Sequence, residues 1–374
     1  MYHTRNTLFQ KRPQQADKRG NCLPKKSPLA EAVVRAPPEE PPLRYGSLGL
    51  SDCDFEYRKI ADKSEDEPDL PETRLFHKTT GVMITPQNRR AYIPDGLIFD
   101  KVMKCCQQVA QEKIKSDFGL DWIHLFTHEG EAIHVLATPN YASDPEETRP
   151  VLMVFTGKGK SRAGILSIRE ILVSGLERGS AIYHIHQAIR RAWSVIVLDP
   201  NARGETEGLV LIRESLDHLE WNEAFLAKRP VYILSHSAAG GYLVRYLLEG
   251  AHRHELRSSI NGLVFTDSTH NIQWAKDDKT VTKFLESQRV LYIRNCSENP
   301  SDTFADHKNK KAGEKHEGNR WWHRRFGQIP TVWAGTTDHS AMCWVARSVV
   351  WDFFDKRNEQ SANSWAAPSQ TNRP

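Results

Sequence analysis

The sequence predicts an α/β fold, α/β-hydrolase-like in plan, with a mainly parallel sheet and helices on both faces. Three features point to it. Short, mostly apolar runs recur at residues 151–155, 193–198, 231–234 and 260–265, the first of them apolar at every position. Such runs suit strands buried on both faces, as parallel sheets require. Segments with helical spacing separate them, for example Ala181, Ile182, Ile185, Ala188 and Ile189. Finally, one strand feeds a helix through Ser235-His236-Ser237-Ala238-Ala239, a small-x-Ser-x-small turn. That is the pattern of a nucleophile elbow, although the usual outer glycines are here Ser235 and Ala239.

Taken in order, residues 1–73 are expected to be largely disordered. Pro37-Pro38, Pro41-Pro42, charged runs and few aliphatics cannot offset the entropy of ordering the chain. A polar tail is expected at 358–374 on the same grounds. Between them, 74–357 reads as one large domain, which a chain of 374 residues accommodates. Residues 76–85, interrupted by Thr80-Gly81, predict a strand or hairpin arm. A helix over 95–115 follows, with Leu97, Ile98, Val102, Val109 and Ile114 on its apolar side. Strands at 122–127 and 132–138 flank a hairpin turn at His128-Glu129-Gly130.

The alternation then becomes regular. Strand 151–155 ends at Thr156-Gly157-Lys158-Gly159, and strand 193–198 is closed by Asp199-Pro200-Asn201. A helix over 209–226 precedes the elbow strand, whose helix runs to Leu248. Strand 260–265 ends at Thr266-Asp267-Ser268. The last unit is strand 331–334, a loop to Ser340, and a helix through Trp344, Val345, Val349 and Phe353.

A net charge of +4 does not by itself mark a nucleic-acid surface. Paired basic residues at Lys11-Arg12, Lys18-Arg19 and Lys25-Lys26 fit either a nuclear-import signal, a nucleic-acid contact or a solvated tail. Residues 307–326 interleave Lys and Arg with Trp321-Trp322, a pattern that can bind single-stranded nucleic acid such as RNA. A surface insertion anchored by its tryptophans is the favoured reading. The six cysteines form no CxxC pair and no His/Cys metal spacing, so free thiols in a reducing, intracellular compartment are expected. The N-terminus carries no apolar signal, and no run is long enough to span a bilayer, so no membrane partner is expected. No GxGxxG follows the early strands, which disfavours a dinucleotide enzyme. No cofactor is implied.

A serine nucleophile needs a histidine base and a carboxylate that orients it, in α/β-hydrolase chain order Ser, acid, His. Asp267 directly follows its strand, and His339 lies in the loop after the last one. Asp338 is a rival acid, and His236 and His270 are rival bases, all ranked lower. One oxyanion donor is expected from the Ala238 N–H at a helix N-terminus. Another is expected from the Gly157-Lys158-Gly159 loop, and Arg162 is near enough in sequence to hold an anionic group. Each residue also has a purely structural reading: Ser237 as a small turn residue, Asp267 as a cap, His339 as its hydrogen-bond partner.

Several segments resemble the Argonaute-binding-protein-two domain family. They are 195–201, Arg162-Ala163-Gly164, Thr80-Gly81, 235–241, Thr266-Asp267-Ser268-Thr269-His270-Asn271 and Ala334-Gly335-Thr336-Thr337-Asp338-His339. The likeness covers roughly residues 74–357. The family includes a fungal subunit of an Argonaute chaperone complex, animal cotranscriptional regulators and a C-terminal domain of some fungal histone deacetylases. The resemblance implies an α/β-hydrolase-like fold, with Ser237, Asp267 and His339 at the triad-like positions. It also implies a role in small-RNA silencing and heterochromatin, with an Argonaute or chromatin-silencing complex as partner, in the nucleus or cytoplasm. Two segments depart from the family pattern. Its His-Gly-Ser-Gly-type loop is Thr156-Gly157-Lys158-Gly159 here, and its Tyr-Gly after the serine is Ala238-Ala239. The two function classes left by the sequence are a silencing adaptor on a hydrolase scaffold and a working esterase, thioesterase or deacylase.

Overall fold

Residues that are apolar at successive positions become strands with no exposed face. A computed structural model describes residues 49–60, 70–127, 130–139, 141, 148–221, 229–249, 254–295, 310–318 and 320–366. All of them lie within one unit, Tyr45–Pro374. The strands are β1 (Phe55–Lys59), β2 (Thr73–His77), β3 (Asp121–Phe126), β4 (Ala132–Ala137), β5 (Val151–Phe155), β6 (Ser194–Leu198), β7 (Val231–His236), β8 (Ile260–Thr266), β9 (Val290–Arg294) and β10 (Thr331–Trp333). Every residue of β5, β6, β7 and β9 is buried.

Eight strands form one sheet in the order β10-β9-β8-β7-β5-β6-β4-β3. The six strands from β5 to β10 are mutually parallel, and β4 runs antiparallel to both β3 and β6. This single reversed strand next to a parallel core gives an α/β-hydrolase-like sheet. The chain moves outward from β5 to β6, then returns to the other side of β5 to place β7. A switch point of this kind opens a crevice beyond the carboxyl ends of β5 and β7. Side-chain alternation sends Leu152, Val154, Val195, Val197, Tyr232 and Leu234 to one core and Val151, Met153, Ile196, Leu198 and Ile233 to the other.

Helices close both faces. On the first lie α1 (Leu97–Phe118), α2 (Ile182–Arg190) and, with its buried Val350, Trp351 and Phe354, the C-terminal helix α7 (Arg347–Ala366). On the second lie α3 (Gly208–Trp221), α4 (Ala238–Leu248), α5 (Lys279–Leu285) and α6 (Arg320–Phe326). The face of α1 differs from the expected one. Leu97 and Ile98 are 88% and 51% exposed, whereas Val102, Cys106, Ala110 and Ile114 form the buried stripe at four-residue spacing. Leu97 and Ile98 belong to the first turn, before α1 meets the sheet.

Three further differences have clear causes. Strand β9 has no counterpart among the strands expected from the sequence. Its apolar run ends in Arg294, which is buried because its guanidinium lies over Trp322 and Trp333 and reaches His316 Nε2 at 3.0 Å. Such a residue hides a strand from a hydrophobicity pattern. Helix α7 continues past residue 357 into the expected polar tail, while 367–374 lie outside the described residues. Within 1–73, expected to be largely disordered, the turn Leu50–Cys53 and strand β1 are formed, and β1 pairs with β2. The basic pairs at 11–26 lie outside the described residues.

Phe55 is 2% exposed and belongs to the first core, so it ties β1 to the body. Phe55→Ala is expected to cost about 3–5 kcal/mol in a denaturant melt of the full chain. A loss under about 1 kcal/mol would show that β1 does not contribute to the folded body.

Candidate active site

The crevice beyond β5 and β7 is built by backbone geometry before any side chain acts. Ser237 sits between β7 and α4 at φ 55° and ψ −125°, a conformation that a residue with a Cβ rarely adopts. Backbone bonds hold it there: its N–H donates to Thr266 O at 2.9 Å, and its own carbonyl accepts from Thr269 N and Gly240 N. Small neighbours allow the turn. A Cβ on Gly240 would lie 2.0 Å from Ser268 Oγ, so only glycine lets α4 approach the loop after β8. A Cβ on Gly157 would meet Ser237 Cβ at 3.0 Å, which places the loop after β5 directly against the serine. Ser237 and Ala238 are half-buried at the start of α4.

The loop after β5 is pinned from β6. Asn201 donates from Nδ2 to Gly157 O at 2.8 Å and to Ser161 O at 2.7 Å, and its Oδ1 accepts from Gly159 N at 3.2 Å. Helix α1 holds the loop's far end, where Gln107 Oε1 accepts from Arg162 N at 2.8 Å. The Arg162 side chain, expected to hold an anionic ligand, instead pairs Nε with Asp199 Oδ2 at 2.8 Å. Burial raises the pKa of Asp199 despite that cation. The sequence offered Asp199-Pro200-Asn201 only as a strand-closing turn, and the clasp by Asn201 was missed. Its one signal is an Asn three residues past a strand that neighbours the Gly-rich loop.

Asp267 leaves β8 at φ 49°, its N–H fixed by Ile293 O at 3.0 Å. His339, in the loop after β10, directs Nδ1 at Asp267 Oδ2, 2.5 Å away. That hydrogen bond, with the Asp267 charge, raises the His339 pKa above its ordinary value against the opposing effect of burial. Asp338, the rival acid, points away and pairs with Arg169. Both rival bases are buried. His236 is 4% exposed, with Nδ1 3.0 Å from Thr266 Oγ1 and 3.3 Å from Cys343 Sγ, and burial pushes its pKa down to about 3. His270 is fully enclosed by Phe265, Tyr292 and Phe326, with Nδ1 on Ser268 Oγ, and is likewise pushed down to about 3 by burial.

Ser237, Asp267 and His339 therefore share one edge of the sheet, and the acid–base half of the arrangement is closed. Among the described residues no hydrogen bond joins Ser237 Oγ to His339. The His339 ring instead lies stacked over His236, centroids 4.8 Å apart and planes 24° apart. Gly157, Lys158 and Ala238 flank the serine, while the Gly159 N–H is already taken by Asn201. No cluster of three or more His, Cys, Asp or Glu side chains fit to hold a metal occurs among the described residues.

No protein-family model matches the chain. A curated relative from Gallus gallus, described as "Cotranscriptional regulator ARB2A homolog", is 21% identical over 62% of this chain and 65% of its own length. The match thus spans just under two thirds of that relative. The resemblance read from the sequence holds. Solved structures with a similar shape include a histone deacetylase from Saccharomyces cerevisiae, at TM-score 0.44 and 14% identity, covering 69% of this chain and 98% of that one. The esterase LipW from Mycobacterium marinum aligns at TM-score 0.38 and 11% identity, over 72% of this chain and 91% of that one.

Of the segments that carry the likeness to the Argonaute-binding-protein-two family, all but Thr80-Gly81, which lies in the turn after β2, converge in space. Residues 195–201, 235–241, 266–271 and 334–339 all end at the carboxyl edge of the sheet, and Arg162-Ala163-Gly164 closes the loop beside them.

Because the folded pKa of His339 is raised, its pairing with Asp267 stabilises the fold fully below the unfolded histidine value of about 6.5 and loses that contribution as pH rises through the folded value. Asp267→Asn is therefore expected to lower the His339 pKa in an NMR titration. Its destabilisation should be larger at pH 6 than at pH 8.5, though modest, because the His339 side chain is 45% exposed. An unchanged His339 titration in Asp267→Asn would mean that the two groups do not interact in solution.

Proposed function

We propose that this protein is a regulator of transcription-coupled or small-RNA silencing whose α/β-hydrolase-like body serves as a binding scaffold. The description of the Gallus gallus relative as a cotranscriptional regulator supports that reading. The finer proposal is that the scaffold joins an Argonaute or a chromatin-silencing complex, in the nucleus or the cytoplasm. Affinity purification of the tagged chain, with and without residues 1–70, is expected to recover such factors in both forms. Recovery of none in either form would remove the adaptor reading.

A second reading, a serine hydrolase acting on an ester, thioester or acyl-amide, is favoured by one observation: His339 Nδ1 lies 2.5 Å from Asp267 Oδ2 beside a serine on a strained elbow. In this reading Ser237 Oγ attacks the acyl carbonyl and passes its proton to His339 Nε2. Asp267 fixes the tautomer and stabilises the imidazolium. The oxyanion is met by the N–H of Ala238, at the positive end of α4, and by that of Gly157 or Lys158. Hydrogen bonds between nucleophile and base are often long without ligand and tighten in the complex, so the stacked position of His339 is compatible with the mechanism.

A fluorophosphonate probe is expected to label Ser237, and Ser237→Ala to abolish labelling. Asn201→Ala, which frees the Gly157–Ser161 loop, should slow labelling by up to the ~10²–10³-fold typical of losing one oxyanion donor. An unlabelled wild type would leave the triad a structural relict and the scaffold reading alone. Labelling that persists in Ser237→Ala would mean that the nucleophile lies elsewhere.

A further inference from the structure

We infer that the surface formed by Trp274, Trp321 and the cations around α5 and α6 binds single-stranded nucleic acid. The inference goes beyond the reading above and uses none of the Ser237 chemistry. It begins with the basic, Trp-containing stretch at 307–326, which the structure divides. Trp322 is 2% exposed and packs on Tyr292, Phe326 and the Arg294 guanidinium, so it anchors the segment as expected. Trp321, its neighbour, is 58% exposed. A second exposed tryptophan, Trp274 at 38%, lies on the adjoining segment and carries the Arg245 guanidinium over its ring at 4.5 Å. The two segments are joined by Gln273 Nε2 donating to Arg324 O at 3.1 Å and by Arg325 donating to Thr269 O at 3.0 Å.

Cations outnumber acids on the adjoining surface. Lys276, Lys279 and Lys283 follow helical spacing and line one concavity of about 470 Å³ with Thr282, Glu286 and Ser287. Lys279 and Lys283 are four residues apart, so their like charges repel when no anion lies between them. None of Lys276, Lys279, Lys283, Arg320 and Arg324 has an ion-pair partner among the described residues. The nearby acids are otherwise engaged. Asp278 Oδ1 caps α5 by accepting from Thr280 N and Val281 N, and Glu286 Oε1 accepts from Gln328 N at 2.8 Å. Asp277 and Glu317 are exposed, and Glu317 pairs with Lys315 at 3.1 Å. Helix α6, Arg320–Phe326, contains three arginines and no acid.

Exposed aromatic residues beside a groove with an excess of cations recognise a polymer that alternates anionic phosphates with stacking bases. An acidic peptide would match the charges and leave both tryptophans without a role. A duplex hides its base faces and would use only the cations. Single strands match both features, without sequence preference.

The test is fluorescence anisotropy of a labelled oligouridine of about 15 nucleotides with the full chain, across a salt series. Five phosphate contacts predict a slope of log K against log salt near about −3.5. Trp274→Ala and Trp321→Ala are each expected to weaken binding by roughly tenfold or more, the loss of one stacked base. Lys279→Ala with Lys283→Ala should flatten the slope by about 1.4. Circular dichroism of each variant serves as the control for folding. No binding by the wild type overturns the inference. So does binding insensitive to both tryptophans, or equal competition by oligoglutamate, which would mean a plain polyanion surface. Binding that survives all four substitutions would place the contact outside this surface and equally overturn it.

Discussion

The arrangement depends on one backbone constraint, the left-handed conformation of Ser237 between β7 and α4. A residue with a Cβ held at φ 55° costs on the order of 1–3 kcal/mol, and it persists only where its surroundings over-determine it. Three hydrogen bonds do so here, linking Ser237 N to Thr266 O and Ser237 O to Thr269 N and Gly240 N. Two of them, to Thr266 and Thr269, tie the elbow to the end of β8 and the loop that presents Asp267. The strain of the serine and the placement of the acid therefore have one cause. Gly240 and Gly157 supply the space, since a Cβ on either would press on Ser268 or on Ser237 itself. Substitution at either glycine would act on the site through the backbone, not through a lost contact.

Electrostatics sorts three histidines near the site into distinct states. His236 and His270 lie in closed environments where a charge would be desolvated, so both remain neutral over the physiological range. His339 is the most open of the three and faces a carboxylate, so it alone is shifted towards the protonated form. The stacking of His236 beneath His339 has a consequence in either direction. A neutral imidazole presents an electron-rich face to the imidazolium that proton abstraction would create. A protonated His236 would repel it, and burial prevents that form.

Much of this was legible in the sequence, for a physical reason. Strands buried on both faces are mostly apolar along their length, so β5, β6, β7 and β8 stood out despite Ser194, Ser235 and Asn261, and the turns after them carried the polar residues of the crevice. What escaped depends on partners distant in the chain. Arg294 makes β9 look like the end of a strand because its charge is offset by Trp322, Trp333 and His316, which arrive from later elements. Phe55 reads as an isolated aromatic in a polar segment until β1 meets β2. Asn201 looks like turn chemistry, because the carbonyls that it clasps belong to a loop on the neighbouring strand. The stacking of His339 on His236 is a rotameric outcome, which spacing alone does not encode.

The loop that departs most from the family pattern is also the one held most firmly from outside. Thr156-Gly157-Lys158-Gly159 lacks the usual preceding histidine, yet Asn201 takes the carbonyls of Gly157 and Ser161 and the N–H of Gly159. The clasp extends further. Asn201 N donates to Asp199 Oδ1, Asp199 Oδ2 accepts from Arg162 Nε, and Arg162 N donates to Gln107 Oε1 on α1. A buried chain of this kind is costly to leave half-satisfied, so its members act as a unit. It fixes the loop against Ser237 by means that a side chain at position 156 does not supply. The departure at Thr156 is thus compensated by a scaffold, and the rigidity needed for preorganised donors is present whether or not the site performs chemistry.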